Sequence, residues 1–342
     1  MAGRVLRVGQ VGVGGRGNRI MASVLQSENM ELTCIQDVDE KAVARALQKH
    51  PCQMCSSFEE MLASDVDAVL LILPNFLHES FTVQAAKAGK HVFVEKPIAN
   101  RLDEAGRMIA ACEEHEVLLA VGHSDRHRGR CRVLSKLVQD GALGELCGFQ
   151  ACNSHDNAKR SDKRWKTDPK VTPCVPLMQL GIHQIDTLRS FFGDVASVFS
   201  HHAKMSSQFD MIDSTHSMIR FESGVTGSLA CYYVVPGTKV LNLYGVGGRA
   251  VAHDDHIEVL KEGASKPEVI DGSEEDDPPG DVRMLTAFAD AVLNGSEFPT
   301  DGMVGAKALA VLWAAVYSAE RGREVTLEET LEHYGATYLM EV

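Results

Sequence analysis

The sequence predicts an α/β fold in two domains: a doubly wound parallel sheet at the N-terminus, then an α+β domain with an open, mainly antiparallel sheet. Three observations carry this prediction. Continuous apolar runs alternate with helix-patterned stretches in the first third, a glycine-rich turn joins the first run to the first helix, and beyond about residue 125 strand-like segments follow one another across short turns. At 342 residues and 44% hydrophobic content the chain can build a core large enough for two domains. The expected division is 1–123 and 124–342.

The first strand is Val5–Val11, rich in β-branched residues, and it ends where Gly12-Val13-Gly14-Gly15-Arg16-Gly17 begins. That turn fits G-x-G-x-x-G, and Ile20, Met21, Val24 and Leu25 after it are spaced like one face of a helix. Glycines let the backbone approach a pyrophosphate, and the helix N-terminus then faces its charge, so the motif predicts a Rossmann-type dinucleotide site. Asp37, twenty residues past Gly17, closes the next run, Leu32–Gln36. A carboxylate there can accept hydrogen bonds from both adenosine ribose hydroxyls and repels a 2'-phosphate, which predicts NAD rather than NADP.

A third strand, Ala68–Leu73, is broken by Pro74-Asn75, and Phe81, Val83, Ala85, Ala86 and Ala88 mark a helix that stops at Gly89. His91–Val94 starts the next strand and leads into Glu95-Lys96-Pro97; Val117–Val121 completes the set before Gly122. Binding in such sheets falls at the carboxyl ends of the strands, where the glycine turn, Asp37, Pro74-Asn75 and Glu95-Lys96-Pro97 all lie. In the second domain Val195–Ala203, Ser214–Phe221, Val225–Val235 and Val240–Gly245 are strand-like, with turns at Glu222-Ser223-Gly224 and Pro236-Gly237. An acidic loop, Asp271–Asp281, is expected to be solvated and to precede helices over Val282–Asn294 and Gly305–Arg321.

A net charge of −13 argues against nucleic acid or anionic membrane as a partner. No apolar run approaches the roughly 20 residues of a membrane span, and the N-terminus lacks a signal-peptide core, so the expected location is the cytoplasm. Nine cysteines scattered through a long chain predict free thiols.

The chain resembles the glucose-fructose oxidoreductase and inositol dehydrogenase family, Gfo/Idh/MocA, over nearly its whole length. The resemblance rests on the glycine turn with Asp37, Leu73-Pro74-Asn75 with His78, Ala88–Pro97, Gly181-Ile182-His183 with Asp186, and Ser318-Ala319 with Gly322-Arg323. It implies hydride exchange between a nicotinamide and a hydroxyl of a sugar or polyol. It also implies cofactor contacts from Gly12, Gly14, Gly15, Arg16, Gly17, Asp37, Pro74, Asn75, His78, Glu95 and Lys96. An open sheet face of the kind the family uses to pair subunits implies a homodimer or homotetramer.

Oxidising an alcohol needs a hydride acceptor, a base for the hydroxyl proton, and positive charge beside the developing alkoxide. Lys96, at a strand end, can supply the charge, and in the family the matching lysine faces the substrate. Pro97 constrains the backbone there, and its peptide bond is a candidate for the cis form. His183 is the candidate base, since imidazole titrates near neutrality. On imidazole chemistry alone a structural histidine is the ordinary reading, and the resemblance implies the catalytic one. The spacing of Ile182, Ile185 and Leu188 predicts a helix with His183 and Asp186 on one face.

Many family dehydrogenases carry an aspartate four residues before this histidine, where this chain has Gln179. An amide can orient an imidazole but cannot stabilise imidazolium as a carboxylate does. An altered proton relay through Asp186 or Lys96, a substrate-contacting Gln179 and lost catalysis are the three readings this leaves. Pro173-Cys174-Val175-Pro176 also replaces a usually glycine-rich stretch, so the substrate is not carried over. Arg126 matches a substrate-side arginine of the family, with His123, His127 and Arg128 beside it, and Asn153, His155 and Trp165 fall where a pocket wall is expected. Cys52 and Cys55 form a lone C-x-x-C beside His50, expected to be incidental thiols, and His253-Asp254-Asp255-His256 is expected to be a polar turn; no metal is predicted. The expected activity is NAD-dependent oxidation of a ring hydroxyl of a sugar, glycoside or cyclitol. The alternatives are an NAD-dependent redox glycosidase and a non-catalytic dinucleotide-responsive regulator.

Overall fold

The N-terminal run forms β1 (Leu6–Val11) in a computed structural model that describes residues 4–156, 158, 164–206, 208–253, 255–272 and 278–340. All but one of its residues are buried, as in a strand covered on both faces. It pairs in parallel with β2 (Met30–Gln36) on one side and β4 (Ala68–Leu71) on the other. β3 (Gln53–Met54), β5 (His91–Glu95) and β6 (Leu119–Gly122) complete a six-stranded parallel sheet in the order β3-β2-β1-β4-β5-β6. The order reverses between β1 and β4, and the carboxyl ends of those strands therefore open the crevice in which such sheets bind ligands.

The chain divides into two compact units, Met1–Ser124 with Pro278–Ala306, and Asp125–Asp277 with Lys307–Val342. This corrects the continuous assignment of 124–342 to the second domain. The physical reason is the helix Gly280–Asn294, which buries Val282, Met284, Leu285, Phe288 and Ala289. Met284, Leu285 and Phe288 belong to one core with Val8, Ile20, Met21, Val24 and Phe93, and the Phe93 and Phe288 rings meet edge to face at 5.6 Å. Asn29 Nδ2 donates to Asp290 Oδ1 at 2.8 Å at the rim of the same contact. The apolar stripe of this helix is legible in sequence; its partners in the N-terminal strands and helices are not.

The second unit is built on nine strands: β7 (Leu146–Ser154), β8 (Val195–Ala203), β9 (Ser214–Phe221), β10 (Thr226–Tyr232), β11 (Thr238–Gly245), β12 (Gly248–Ala252), β13 (His256–Lys261), β14 (Glu268–Asp271) and β15 (Val325–Thr326). They run in the order β14-β13-β12-β11-β7-β10-β9-β8-β15, antiparallel except for β7 beside β10. β9 alternates buried and outward residues along its length, the pattern of a sheet with one covered face. The helix Ile182–Phe192 covers it, and Phe149, Phe192 and Phe221 pack with ring centroids 5.1 to 5.8 Å apart. The predicted acidic loop is shorter than expected: Asp271 ends β14, Asp281 opens a helix, and residues 273–277 lie outside the described residues. Among the described residues one helix, Gly302–Arg321, has the length and apolarity of a membrane span, and 67% of its most apolar stretch is buried, as in a core helix.

Candidate functional site

In the first unit the glycine turn is shaped by what its glycines lack. Gly12 has φ +92°, and a Cβ there would stand 2.2 Å from the Ile72 carbonyl oxygen; one on Gly17 would stand 2.1 Å from the Gly12 oxygen. Buried Gln10 sets the turn from below, its Nε2 donating to the Gly12 and Gly17 oxygens at 2.9 and 3.0 Å. Gly14 precedes the helix Gly15–Val24 without a side-chain cap, which leaves N-terminal N–H groups directed outward, and nothing lies within 4 Å of a Cβ on Gly15. Asp37 closes one edge: its Oδ2 accepts from Val13 N–H at 2.8 Å and its Oδ1 from Asp39 N–H at 3.0 Å. At the opposite edge Pro74 leads into Asn75, which is 4% exposed and whose Nδ2 meets no protein acceptor. An uncapped helix end behind open space, a carboxylate at the turn and an unsatisfied buried amide together fit a dinucleotide.

Two expected cofactor contacts have other partners. Arg16 donates through Nε to Glu95 Oε1 at 2.7 Å and through both Nη atoms to Asp281 at 2.6 and 3.0 Å, so its guanidinium braces the turn against the Gly280–Asn294 helix. Glu95 is 7% exposed and serves that brace. His78 is a correction. Its ring is fully buried, with Nδ1 at 3.0 and 3.1 Å from the Pro97 and Ile98 oxygens and Nε2 at 3.1 Å from the Leu73 oxygen, leaving no face for a cofactor. Burial also lowers its proton affinity, against the pull of those carbonyls. It ties the end of β4 to the segment after Lys96, whose bond to Pro97 is cis. Lys96 itself is half-buried.

In the second unit the segment before His183 is not a plain α-helix. Leu177–Gly181 forms a π turn, with Ile182 N–H donating to the Leu177 oxygen, before the α-helix Ile182–Phe192 begins. Close packing onto β10 accompanies it: a Cβ on Gly181 would lie 2.7 Å from Leu177 Cδ2 and 3.1 Å from Cys231 Sγ. From Val175 to Leu188 every residue is buried except Gln179 and His183. These two polar side chains are half-buried, where the rest of the stretch is fully covered.

Beneath the segment a row of residues crosses five strands. Lys239 on β11 registers with Asn153 on β7, Asn153 with Cys231 on β10, Cys231 with Thr215 on β9, and Thr215 with His202 on β8. Asn153 Nδ2 donates to the Leu180 oxygen at 3.2 Å, joining the row to the π turn. Cys174, whose φ of +44° is unusual for a side-chain-bearing residue, places Sγ 3.8 Å from His202 Nδ1. Burial pushes the Cys174 thiol up to about 12 and, with the charge of His201, pulls His202 down to about 4. Burial thus favours the neutral thiol and the neutral imidazole over a thiolate–imidazolium pair here.

At the other end of the row, Lys239 Nζ donates to Asp125 Oδ2 at 2.5 Å, and Arg128 Nε lies 3.4 Å from Asp125 Oδ1. Asp125 is 3% exposed. Burial pushes its carboxyl up, but the charges of Lys239, His183 and Arg128 and the Lys239 hydrogen bond outweigh this and hold it well below the usual carboxylate range. The next residue, Arg126, grips Asp186 with Nε and Nη2 at 2.7 and 2.6 Å. Asp186 is fully buried and holds Arg126, so the pair fastens the 124–127 turn to the His183 helix. Trp165 lies in a short turn, with Lys166 Nζ 5.4 Å from its ring centroid and Thr172 Oγ1 donating to its carbonyl. His155 pairs at 3.4 Å with Asp156.

Sequence reading missed Gln10, Asp281, Asp125 and Lys239. The last two are 114 residues apart and carry no local signal. All nine cysteines are free, and burial raises the thiols of Cys34, Cys52 and Cys55. At the end of the β12–β13 hairpin the His253 and His256 rings stack at 4.4 Å, with His256 Nδ1 2.7 Å from Asp255; Asp254 lies outside the described residues.

Comparison with known proteins joins these two halves to named families. The profile described as an oxidoreductase family with an NAD-binding Rossmann fold matches residues 6–123, and that of the GFO/IDH/MocA C-terminal domain matches residues 131–251. The 2,7-anhydro-N-acetylneuraminate hydratase of Escherichia coli (strain K12) is 25% identical, over 96% of this chain and 99% of its own. The crystal structure of a putative NADPH-dependent oxidoreductase from Desulfitobacterium hafniense is 26% identical, with a TM-score of 0.88 over 96% of this chain and 99% of its own. A levoglucosan dehydrogenase in complex with NADH and levoglucosan shares the fold at 19% identity, with a TM-score of 0.87 over 94% and 99% of the two chains.

Proposed function

The chain belongs to the GFO/IDH/MocA family of NAD(P)-dependent oxidoreductases that act on sugars, and from that premise we propose that it uses NAD to oxidise, reversibly, a ring hydroxyl of a sugar, glycoside or cyclitol. The observation that carries the reading is the isolation of Gln179 and His183 as the two half-buried side chains of an otherwise buried fourteen-residue stretch, Val175–Leu188. A half-buried histidine suits proton transfer near neutrality.

NAD would be held by Gly12, Gly14 and Gly17 at the helix end, with Asp37 toward the ribose and Asn75 at the opposite edge. NAD is favoured over NADP because Asp37 is followed by Asp39 and Glu40, and three carboxylates repel a 2'-phosphate. The chemistry that NAD supplies when bound is acceptance of a hydride from the carbinol carbon. The chain's own contributions are separate: an imidazole nitrogen of His183 takes the hydroxyl proton, and the Lys96 ammonium stabilises the developing negative oxygen. Gln179 orients a substrate hydroxyl through its amide. In this reading the protein works in the cytoplasm as a homodimer or homotetramer, with the outward side chains His216, Met218 and Arg220 of β9 on the pairing face.

The test is NADH absorbance during incubation with NAD and a panel of inositols, free sugars and glycosides, with sugar analysis in parallel. Turnover with one class, abolished in His183→Ala while NAD affinity measured by calorimetry stays unchanged, is the expected result. Sugar release without NADH would instead favour a redox glycosidase, and silence in both channels despite NAD binding would point to a regulator or to a substrate outside the panel.

A further inference from the structure

We propose that Asp125 is the carboxylate that positions His183 and stabilises its protonated form, in the place that Gln179 leaves without a charge, and that Lys239 sets how much of that charge His183 receives. The proposal rests on the reading of His183 as the base. Asp125 is a positioning residue here, acting through His183.

The turn that carries Asp125 is tied to the segment that carries His183 from two sides. On one side Lys239 Nζ holds it at 2.5 Å, and Lys239 registers with Asn153, whose amide bonds the Leu180 oxygen three residues before His183. On the other side Arg126 grips Asp186, three residues after His183 on the same helix. The turn Ser124–His127 is thus fastened to both flanks of His183, with Asp125 in its middle. The attraction between the two is part of what keeps Asp125 ionised.

The charged and titratable groups around the pair come from each packed element. Lys239 reaches in from β11 and Arg128 from the residue before the Gly129–Gln139 helix, while Arg130 acts on Cys131 of that helix. Cys131 on that helix is buried, and burial pushes its thiol up to about 11, so it stays neutral near pH 7. Arg126 and Asp186 cancel one another. Gln179 is neutral at every pH. Asp125 is the buried anion of this turn that is not held in a bidentate pair: Lys239 Nζ at 2.5 Å and Arg128 Nε at 3.4 Å share it, Lys239 being the nearer. A fixed anion near an imidazole favours the imidazolium, which supplies what the amide of Gln179 cannot.

Two substitutions move the base in opposite directions. In the oxidation direction His183 must be neutral, so the acidic limb of the kcat/KM profile marks its titration. Asp125→Asn removes the anion, disfavours imidazolium and moves the limb to lower pH by roughly one unit. Lys239→Met removes the competing cation, leaves Asp125 more fully felt by His183 and moves the limb to higher pH. A merely structural role lowers stability or kcat without moving the midpoint.

The decisive measurement is the titration midpoint of His183 by NMR in labelled protein, with His183→Ala used to assign its resonance, alongside the kcat/KM profile. A downward shift in Asp125→Asn with an upward shift in Lys239→Met is expected. Unmoved midpoints, or shifts of the same sign, would overturn the proposal. Should Asp125→Asn fail to fold, the sign of the Lys239→Met shift decides alone. Because the NMR titration needs no substrate, opposite shifts in a protein without turnover would uphold the electrostatic pairing while the proposed activity fell.

Discussion

At Gly12 the backbone requires φ +92°, and the Ile72 oxygen stands 2.2 Å from where a Cβ would be, so Gly12→Ala meets a strained conformation and a collision together. The expected outcome is a loss of about 1–3 kcal/mol of stability in denaturant unfolding, with NAD affinity lost beyond tenfold by calorimetry. Gly15→Ala is the control from the same turn: it has open space and no positive φ, so its stability stays within about 0.5 kcal/mol of the parent while NAD binding weakens. His202 gives a residue-scale prediction in pH. Its folded proton affinity is pulled to about 4 from an ordinary value of 6.5, chiefly by burial. An unfolded chain then takes up this proton first, so the stability His202 contributes is full above about pH 6.5 and is lost as pH falls toward 4, by at most about 3 kcal/mol. His202→Gln is expected to flatten that part of the stability-against-pH curve in urea titrations, and an unchanged slope would show that the ring is not buried neutral.

The helix Gly280–Asn294 shows how an element can be legible while its place is not. Its apolar spacing marks a buried face, yet only the fold reveals that Phe288 meets Phe93 of the first unit. Phe288→Ala removes a fully buried ring from that contact and is expected to cost about 3–5 kcal/mol in denaturant unfolding, with NAD affinity falling because Asp281, which anchors Arg16, opens the same helix. Val195–Ala203 and Ser214–Phe221 are readable to their ends, and along Ser214–Phe221 one covered sheet face imposes a clean period of two. β7 is not, since its Gly148, Cys147, Cys152 and Asn153 dilute the β-branched pattern. The π turn at Leu177–Gly181 leaves the apolar spacing of a helix intact, so its sequence predicts the helix and hides the widened turn. In the proposed site the same division holds. Glycines, Asp37, Lys96 and His183 are local features that a motif can show, whereas Asp125 with Lys239 and Arg126 with Asp186 are pairs closed by folding over long separations, and the fully buried ring of His78 displays no local sign of its burial.

Over the whole molecule the chain leaves the first unit after Ser124, returns at Pro278 and leaves again after Ala306, so that unit is complete only with its second segment. The returning segment does more than cover a face. Thr300 Oγ1 donates to the Val121 oxygen and Val121 N–H to the Thr300 oxygen, so the segment also pairs with the edge strand β6. Without residues 278–306, the apolar faces of Ile20, Met21, Val24 and Phe93 are exposed, Arg16 loses its bidentate carboxylate, and β6 becomes a bare edge. A fragment of residues 1–124 is therefore expected to bind an apolar dye, to unfold without a cooperative transition and to show no measurable affinity for NAD, although it contains every glycine of the motif. Adding a peptide of residues 278–306 in trans should restore a cooperative transition and NAD binding, and Phe288→Ala in that peptide should weaken the rescue. A cooperative transition in 1–124 alone, unmoved by the peptide, would mean that the dinucleotide unit is continuous after all and that the Gly280–Asn294 helix merely rests upon it.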